Sequence, residues 1–183
     1  MLEPPLRLVL CGAGHDAIPL VRTAVAIGWH AVVVDDRPVF LSEERYPQAH
    51  AFVRVEEPSE TETATPFDQR TFAVVMSHNY LRDREYLRAL LRTEVGYIAM
   101  LGPAARTQRI LMDLAEDGVE VTDEQRARIH APAGLDLGAE GPDEIAQAIV
   151  AEIVAVRHGR DGGFLKERPG PIHDRPRPGT EAR

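Results

Sequence analysis

Gly12-Ala13-Gly14-His15-Asp16-Ala17 has the spacing G-x-G-x-x-A, and Asp35 follows about twenty residues later. Glycine at the first position permits a tight turn, and glycine at the second lets a pyrophosphate approach the backbone. A small residue at the sixth lets the next helix sit close to its strand. A helix beginning there directs unpaired N–H groups at an anion. An acid ending the following strand, where Asp35 falls, suits ribose hydroxyls and opposes a 2′-phosphate. The chemistry expected is the cradling of a phosphate-bearing nucleotide or cofactor, with NAD favoured over NADP.

Further polar residues follow apolar runs. Asp36 and Arg37 come after Asp35, and Ser77, His78 and Asn79 end "VVMSHN". Gly102 ends "YIAMLG", with Arg106 and Thr107 just beyond, and "RIHAPAGLDLG" adds His130, Gly134, Asp136 and Gly138. In an open parallel sheet, ligands bind beyond the carboxyl ends of the strands. Two histidines and several acids at one edge could hold a metal, but no short ligand spacing accompanies them, so no metal is expected. His30, His50, His158 and His173 read as surface residues. There is neither a G-x-S-x-G elbow nor a G-x-x-x-x-G-K loop. Cys11, ending an apolar run, reads as a small packing residue. No catalytic residue is assigned; His78 is the one proton donor placed at the rim, and no catalytic domain follows.

Positioning these residues requires alternating strands and helices. Apolar runs predict strands over 7–11, 31–34, 51–55, 72–76 and 97–101. Helical spacing predicts helices over about 15–28, 83–92 with Asp83 as N-cap, 104–116 and 142–157. A capping box of Thr122 and Gln125 starts a short one. "EEPSETETATPFD", Glu56 to Asp68, reads as a solvated loop. The order implies an α/β fold, a Rossmann-like open parallel sheet with helices on both faces. This domain spans 1–158; residues 159–183 form a Gly/Pro-rich tail, docked in part through Phe164 and Leu165.

The 183 residues are 44% hydrophobic and 27% charged, with a net charge of −8. That balance argues against nucleic acid and against an anionic membrane surface. No apolar run reaches the ~20 residues of a membrane span. "MLEPPLR" does not read as a signal peptide. A single cysteine excludes an internal disulfide and a cysteine zinc cluster, and a reducing cytoplasm is the simplest setting.

Taken together, "GAGHDAIPL", "VVVDDRP", "VVMSHNYLRDREYLRALL", "YIAMLGPAART" and "RIHAPAGLDLGAEGPDEIAQAIVAEIVAVR" resemble the C-terminal half of the XdhC/CoxI family. The likeness covers about residues 7–160 and continues into "GGFL" and "GPIH". It implies an accessory factor for xanthine dehydrogenase and related molybdenum hydroxylases, one that holds the molybdenum cofactor (molybdopterin), protects it and passes it to the apo-enzyme. By position, Gly12, Gly14 and His15 would face its phosphate or an accompanying nucleotide. Asp35, Asp36 and Arg37 match the family's "DDR", His78 its histidine, and Gly134, Asp136 and Gly138 its "GLDIG"-like run. Gly102 and Arg106 complete the implied set. The family commonly has a serine and paired arginines after "LG", whereas this chain has Pro103, Ala104, Ala105 and Arg106. The family's N-terminal domain has no counterpart here, so a separate chain supplying it is one implied partner. An NAD-dependent oxidoreductase completed by homodimerisation and a nucleotide-sensing regulatory domain are the alternatives.

Overall fold

In the computed structural model, which describes residues 5–169, six strands form one parallel sheet. They are β1 (Arg7–Cys11), β2 (His30–Asp35), β3 (Ala51–Arg54), β4 (Thr71–Val75), β5 (Tyr97–Met100) and β6 (Ile129–His130), in the order β3-β2-β1-β4-β5-β6. The helices are α1 (Ala17–Ala26), α2 (Thr61–Ala64), α3 (Tyr80–Leu91), α4 (Ala104–Glu116), α5 (Asp123–Ala127) and α6 (Gly141–Arg157). This is the expected Rossmann-like α/β architecture.

The continuous apolar runs reflect burial on both sheet faces. Leu8, Leu10, Val33, Val74 and Tyr97 pack with Leu20 of α1 and Ile149 and Ile153 of α6. Their neighbours in the pleat, Val9, Cys11, Val34, Val75 and Ile98, pack with Tyr86, Leu87 and Leu90 of α3 and Ile110 and Leu114 of α4. Truncating any of these leucines or isoleucines to alanine should cost about 2–5 kcal/mol. The chain runs outward from β1 through β2 to β3, then returns to place β4 on the other side of β1. That reversal opens a crevice at the carboxyl ends of β1 and β4.

Four expectations need correction. Helix α3 starts at Tyr80, and its N-cap is Asn79, whose side chain accepts from the Arg82 N–H at 3.1 Å. Asp83 lies a turn inside and is buried; Asn and Asp cap equally well, so sequence could not choose between them. The acidic stretch from Glu56 is not wholly solvated. It contains a turn at Pro58–Glu60 and α2, both packed against α3, with Pro58, Thr61 and Thr65 buried. Strand β6 was not expected, because two residues carry no periodicity. Phe164 and Leu165 are 72% and 66% exposed and do not dock the tail. Instead Gly162 lies against Leu135, where a β-carbon would come within 2.7 Å of Leu135 Cδ1.

The Thr122–Gln125 capping box forms in both directions, and His30, His50 and His158 are exposed. His173 and "GPIH" lie outside the described residues. Among the described residues, no helix is long and apolar enough to cross a membrane.

Candidate functional site

The glycine turn links β1 to α1 at the crevice. Gly12 has φ of +113°, and a β-carbon there would lie 2.5 Å from Ser77 Cα and 2.6 Å from Ser77 N. Only glycine permits this conformation and this approach to the end of β4. Gly14 differs: its φ is not in the left-handed region, and the nearest atom to a β-carbon would be His78 Cδ2 at 3.6 Å. A β-carbon there would make only ordinary packing contacts, with the His78 ring and the Met76 carbonyl. Ala17 and Ile18 donate back to the Gly14 and His15 carbonyls. Among the described residues, the N–H groups of Gly14, His15 and Asp16 have no protein acceptor. This is the donor arrangement of an anion site at a helix N-terminus.

Asp35 is 1% exposed and faces the protein. Its Oδ2 accepts from the Ala13 N–H at 2.6 Å and from Arg37 Nη2 at 2.8 Å; its Oδ1 accepts from the Arg37 backbone N–H and Nε, both at 2.8 Å. Burial alone would raise its pKa. The Arg37 guanidinium and the two backbone donors more than offset this and hold it below the usual carboxylate value. Asp35 thus braces the glycine turn, and its charge is matched by Arg37. The expected conflict with a 2′-phosphate loses its basis.

Other edge residues are paired likewise. Asp36 receives Arg82 Nη2 at 2.8 Å. Ser77 Oγ–H donates to Asp83 Oδ1 at 2.5 Å, and Arg106 Nη2 to Asp83 Oδ2 at 2.5 Å. Burial raises the Asp83 pKa, with Ser77 and Arg106 opposing it. His78, the one non-glycine residue of positive φ (58°) among those described, places Nε2 3.0 Å from Asp16 Oδ2. Backbone strain of this kind concentrates at binding edges. His15 is exposed. Gly102, with Arg106 Cδ beside it, marks the end of β5.

Gly134, Asp136 and Gly138 lie farther out, in the loop after β6. They line a cavity of about 380 Å³ with Leu135, Leu137 and Ile145. Glu152 of α6 holds this loop. Its Oε2 accepts from Tyr97 Oη at 2.5 Å and the Gly134 N–H at 2.8 Å, and Oε1 lies 3.0 Å from His130 Nδ1. Burial pushes its pKa up, but these partners, His130 foremost, bring it below the ordinary value. Gly134 is needed because a β-carbon would sit 3.1 Å from Ala148 Cβ. A larger concavity of about 660 Å³, bordered by Glu62, Phe67 and Arg92, lies before β4 and β5, at the opposite end of the sheet.

The turn therefore gathers Gly12, Gly14, His15, Asp35, Arg37 and His78, with Asp36, Gly102 and Arg106 along the same edge. Sequence reasoning missed Asp16, Arg82, Glu152 and Tyr46. Tyr46 is buried and donates its hydroxyl to the Gly14 carbonyl at 2.8 Å. Cys11 is fully buried, and burial first, then Asp83 and Asp35, push its thiol pKa up, as suits a packing residue. Among the described residues, no three His, Cys, Asp or Glu side chains are grouped to hold a metal.

Residues 8–153 match the family model described as the XdhC Rossmann domain. The chain belongs to the XdhC Rossmann domain family. Among XdhC relatives, a Bacillus subtilis protein named as a probable xanthine dehydrogenase subunit is 34% identical, covering 85% of this chain and 44% of that protein. The uncharacterized protein YqeB of Escherichia coli is 32% identical, over 87% of this chain and 29% of its own length. A crystal structure described as a xanthine dehydrogenase from Bacillus halodurans superposes with a TM-score of 0.75 at 32% identity, over 86% of this chain and 46% of that one. This XdhC domain spans less than half the length of each.

Proposed function

We propose that this XdhC domain binds a phosphate-bearing cofactor, the molybdenum cofactor, at its glycine turn and serves as an accessory factor in maturing a xanthine dehydrogenase-type molybdenum hydroxylase. Membership of the XdhC family, with two relatives named for xanthine dehydrogenase, carries the reading. The glycine turn fits the group at its phosphate: the backbone N–H groups of Gly14, His15 and Asp16 have no acceptor among the described residues, and a β-carbon on Gly14 would meet nothing closer than His78 Cδ2 at 3.6 Å. Gly14, His15 and Asp16 would hold the phosphate through these donors, and the His78 ring borders it. When bound, the cofactor supplies the molybdenum centre used by the recipient enzyme, while this chain holds and presents it.

The pairing along the rim supports a carrier. Arg37, Arg82 and Arg106 are each paired with a carboxylate, so these three cations are not free to clamp a ligand. Paired cations attract a ligand anion less than free ones, which suits a protein that must release its ligand. Asp35, the acid that the NAD-dependent alternative would set against a ribose, is engaged by Ala13 and Arg37, which favours the accessory-factor reading.

Co-expression tests this directly. A xanthine dehydrogenase apo-enzyme is produced with and without this domain, and with and without a second polypeptide matching the rest of the relatives' length. The domain should raise the active fraction in at least one setting, and Gly14→Val should remove the gain. An unchanged active fraction in all settings would overturn the proposal.

A further inference from the structure

One cation at this edge has no counter-charge among the described residues. Arg45 lies in the segment joining β2 to β3. Unlike Arg37, Arg82 and Arg106, it has no carboxylate in ion-pair range among those residues. Its Nε is buried without a hydrogen-bond partner. The guanidinium is held by aromatic rings: its central carbon lies 5.0 Å from the Phe40 ring centre and 5.9 Å from that of Tyr46. Arg37 packs on the same Phe40 ring at 4.3 Å. The Tyr46 hydroxyl reaches the Gly14 carbonyl, which fixes Arg45 beside the glycine turn. Burial raises the Tyr46 pKa and Arg45 opposes it, consistent with their proximity.

Two guanidinium groups on one ring repel each other unless each finds an anion. Arg37 has Asp35; Arg45 has none. A planar guanidinium stiffened by aromatic contacts and lacking a carboxylate partner among the described residues is suited to a phosphate, which it can bind bidentately. We propose that Arg45, steadied by Phe40 and Tyr46, recognises a phosphomonoester of the ligand on the β2 side of the glycine turn. This rests on the phosphate-cradle reading above and adds to it a charge-reading residue and a ligand class. Two ligands carry such a group there: a pterin cofactor through its terminal phosphate, and a dinucleotide through a 2′-phosphate.

The test compares two ligand pairs by calorimetry on the full chain: ADP-ribose against 2′-phospho-ADP-ribose, and a hydroxymethylpterin against its phosphate ester. In at least one pair, the phosphate should tighten binding about tenfold or more, the scale of a charge-assisted hydrogen bond. Arg45→Gln should abolish that gain while leaving the weaker, phosphate-free partner unaffected, and Arg45→Lys should retain part of it. Far-UV circular dichroism verifies that both variants are folded. The pair that responds names the ligand source. A phosphate gain that survives Arg45→Gln would overturn the role of Arg45 and leave the cradle intact. No binding of any probe by wild type would overturn both.

Discussion

Two glycines in one turn should respond in opposite ways to the same substitution. Gly12→Ala places a methyl group 2.5 Å from Ser77 Cα, 2.6 Å from Ser77 N and 2.8 Å from the Met76 carbonyl carbon. All three atoms are backbone in or beside the central sheet, so no side chain can rotate away. The residue must also keep φ near +113°. An L-residue held at positive φ costs about 1–2 kcal/mol, and overpacking a filled site costs about 1–3 kcal/mol. Together they give about 3 kcal/mol, which for a domain of this size lowers the melting temperature by roughly 6–12 °C. Gly14→Ala meets nothing closer than 3.6 Å and is not held at positive φ. Its melting temperature should stay within about 2 °C of wild type, because contacts of that length are ordinary packing. Differential scanning calorimetry of the two variants at neutral pH reads the difference. Equal melting temperatures for Gly12→Ala and wild type would refute the close approach of the turn to β4.

Asp35→Asn removes the charge that Arg37 and Ala13 engage, and it should destabilise the fold by about 2–3 kcal/mol; lost ligand affinity with unchanged stability would restore Asp35 as a ribose ligand. Glu152 has a depressed folded pKa, so its stabilising contribution is complete above the ordinary carboxylate value and fades as pH falls through the lower folded one. The stability gap between wild type and Glu152→Gln, measured by urea unfolding, should therefore be largest near pH 7 and shrink toward pH 3; a constant gap would contradict this. Cys11, buried and with its thiol pKa raised, should react with a thiol reagent only after denaturation. Stoichiometric labelling of the native protein would place it elsewhere.

The fold was legible because its signals are long. Five apolar runs, the G-x-G-x-x-A turn and the strong amphipathic helices each involve many residues, and burial on both faces makes the strands unambiguous. What stayed hidden depends on pairing between distant positions. That Asp35 would face inward follows from Arg37 folding back on it and from Ala13 presenting its N–H, and no spacing rule weighs that against a ribose. The Asn79–Asp83 exchange at the start of α3 turned on which side chain the sheet end would bury. Tyr46 and Arg45 belong to a segment without periodicity, and only the closure of that segment against Gly14 reveals them. Glu152 sits among the alanines, valines and isoleucines of α6, where its three partners come from β5, β6 and the following loop.

Cofactor carriage is tested most simply by identifying what the protein holds when it leaves the cell. The domain and its Gly14→Val variant are purified from cells that make the molybdenum cofactor, then denatured, and the released small molecules are measured by absorbance and mass. Wild type should release a phosphorylated pterin in substantial stoichiometry. The variant, equally folded by circular dichroism, should release at least tenfold less. A dinucleotide in place of a pterin, or equal amounts from the two proteins, would contradict the carrier role.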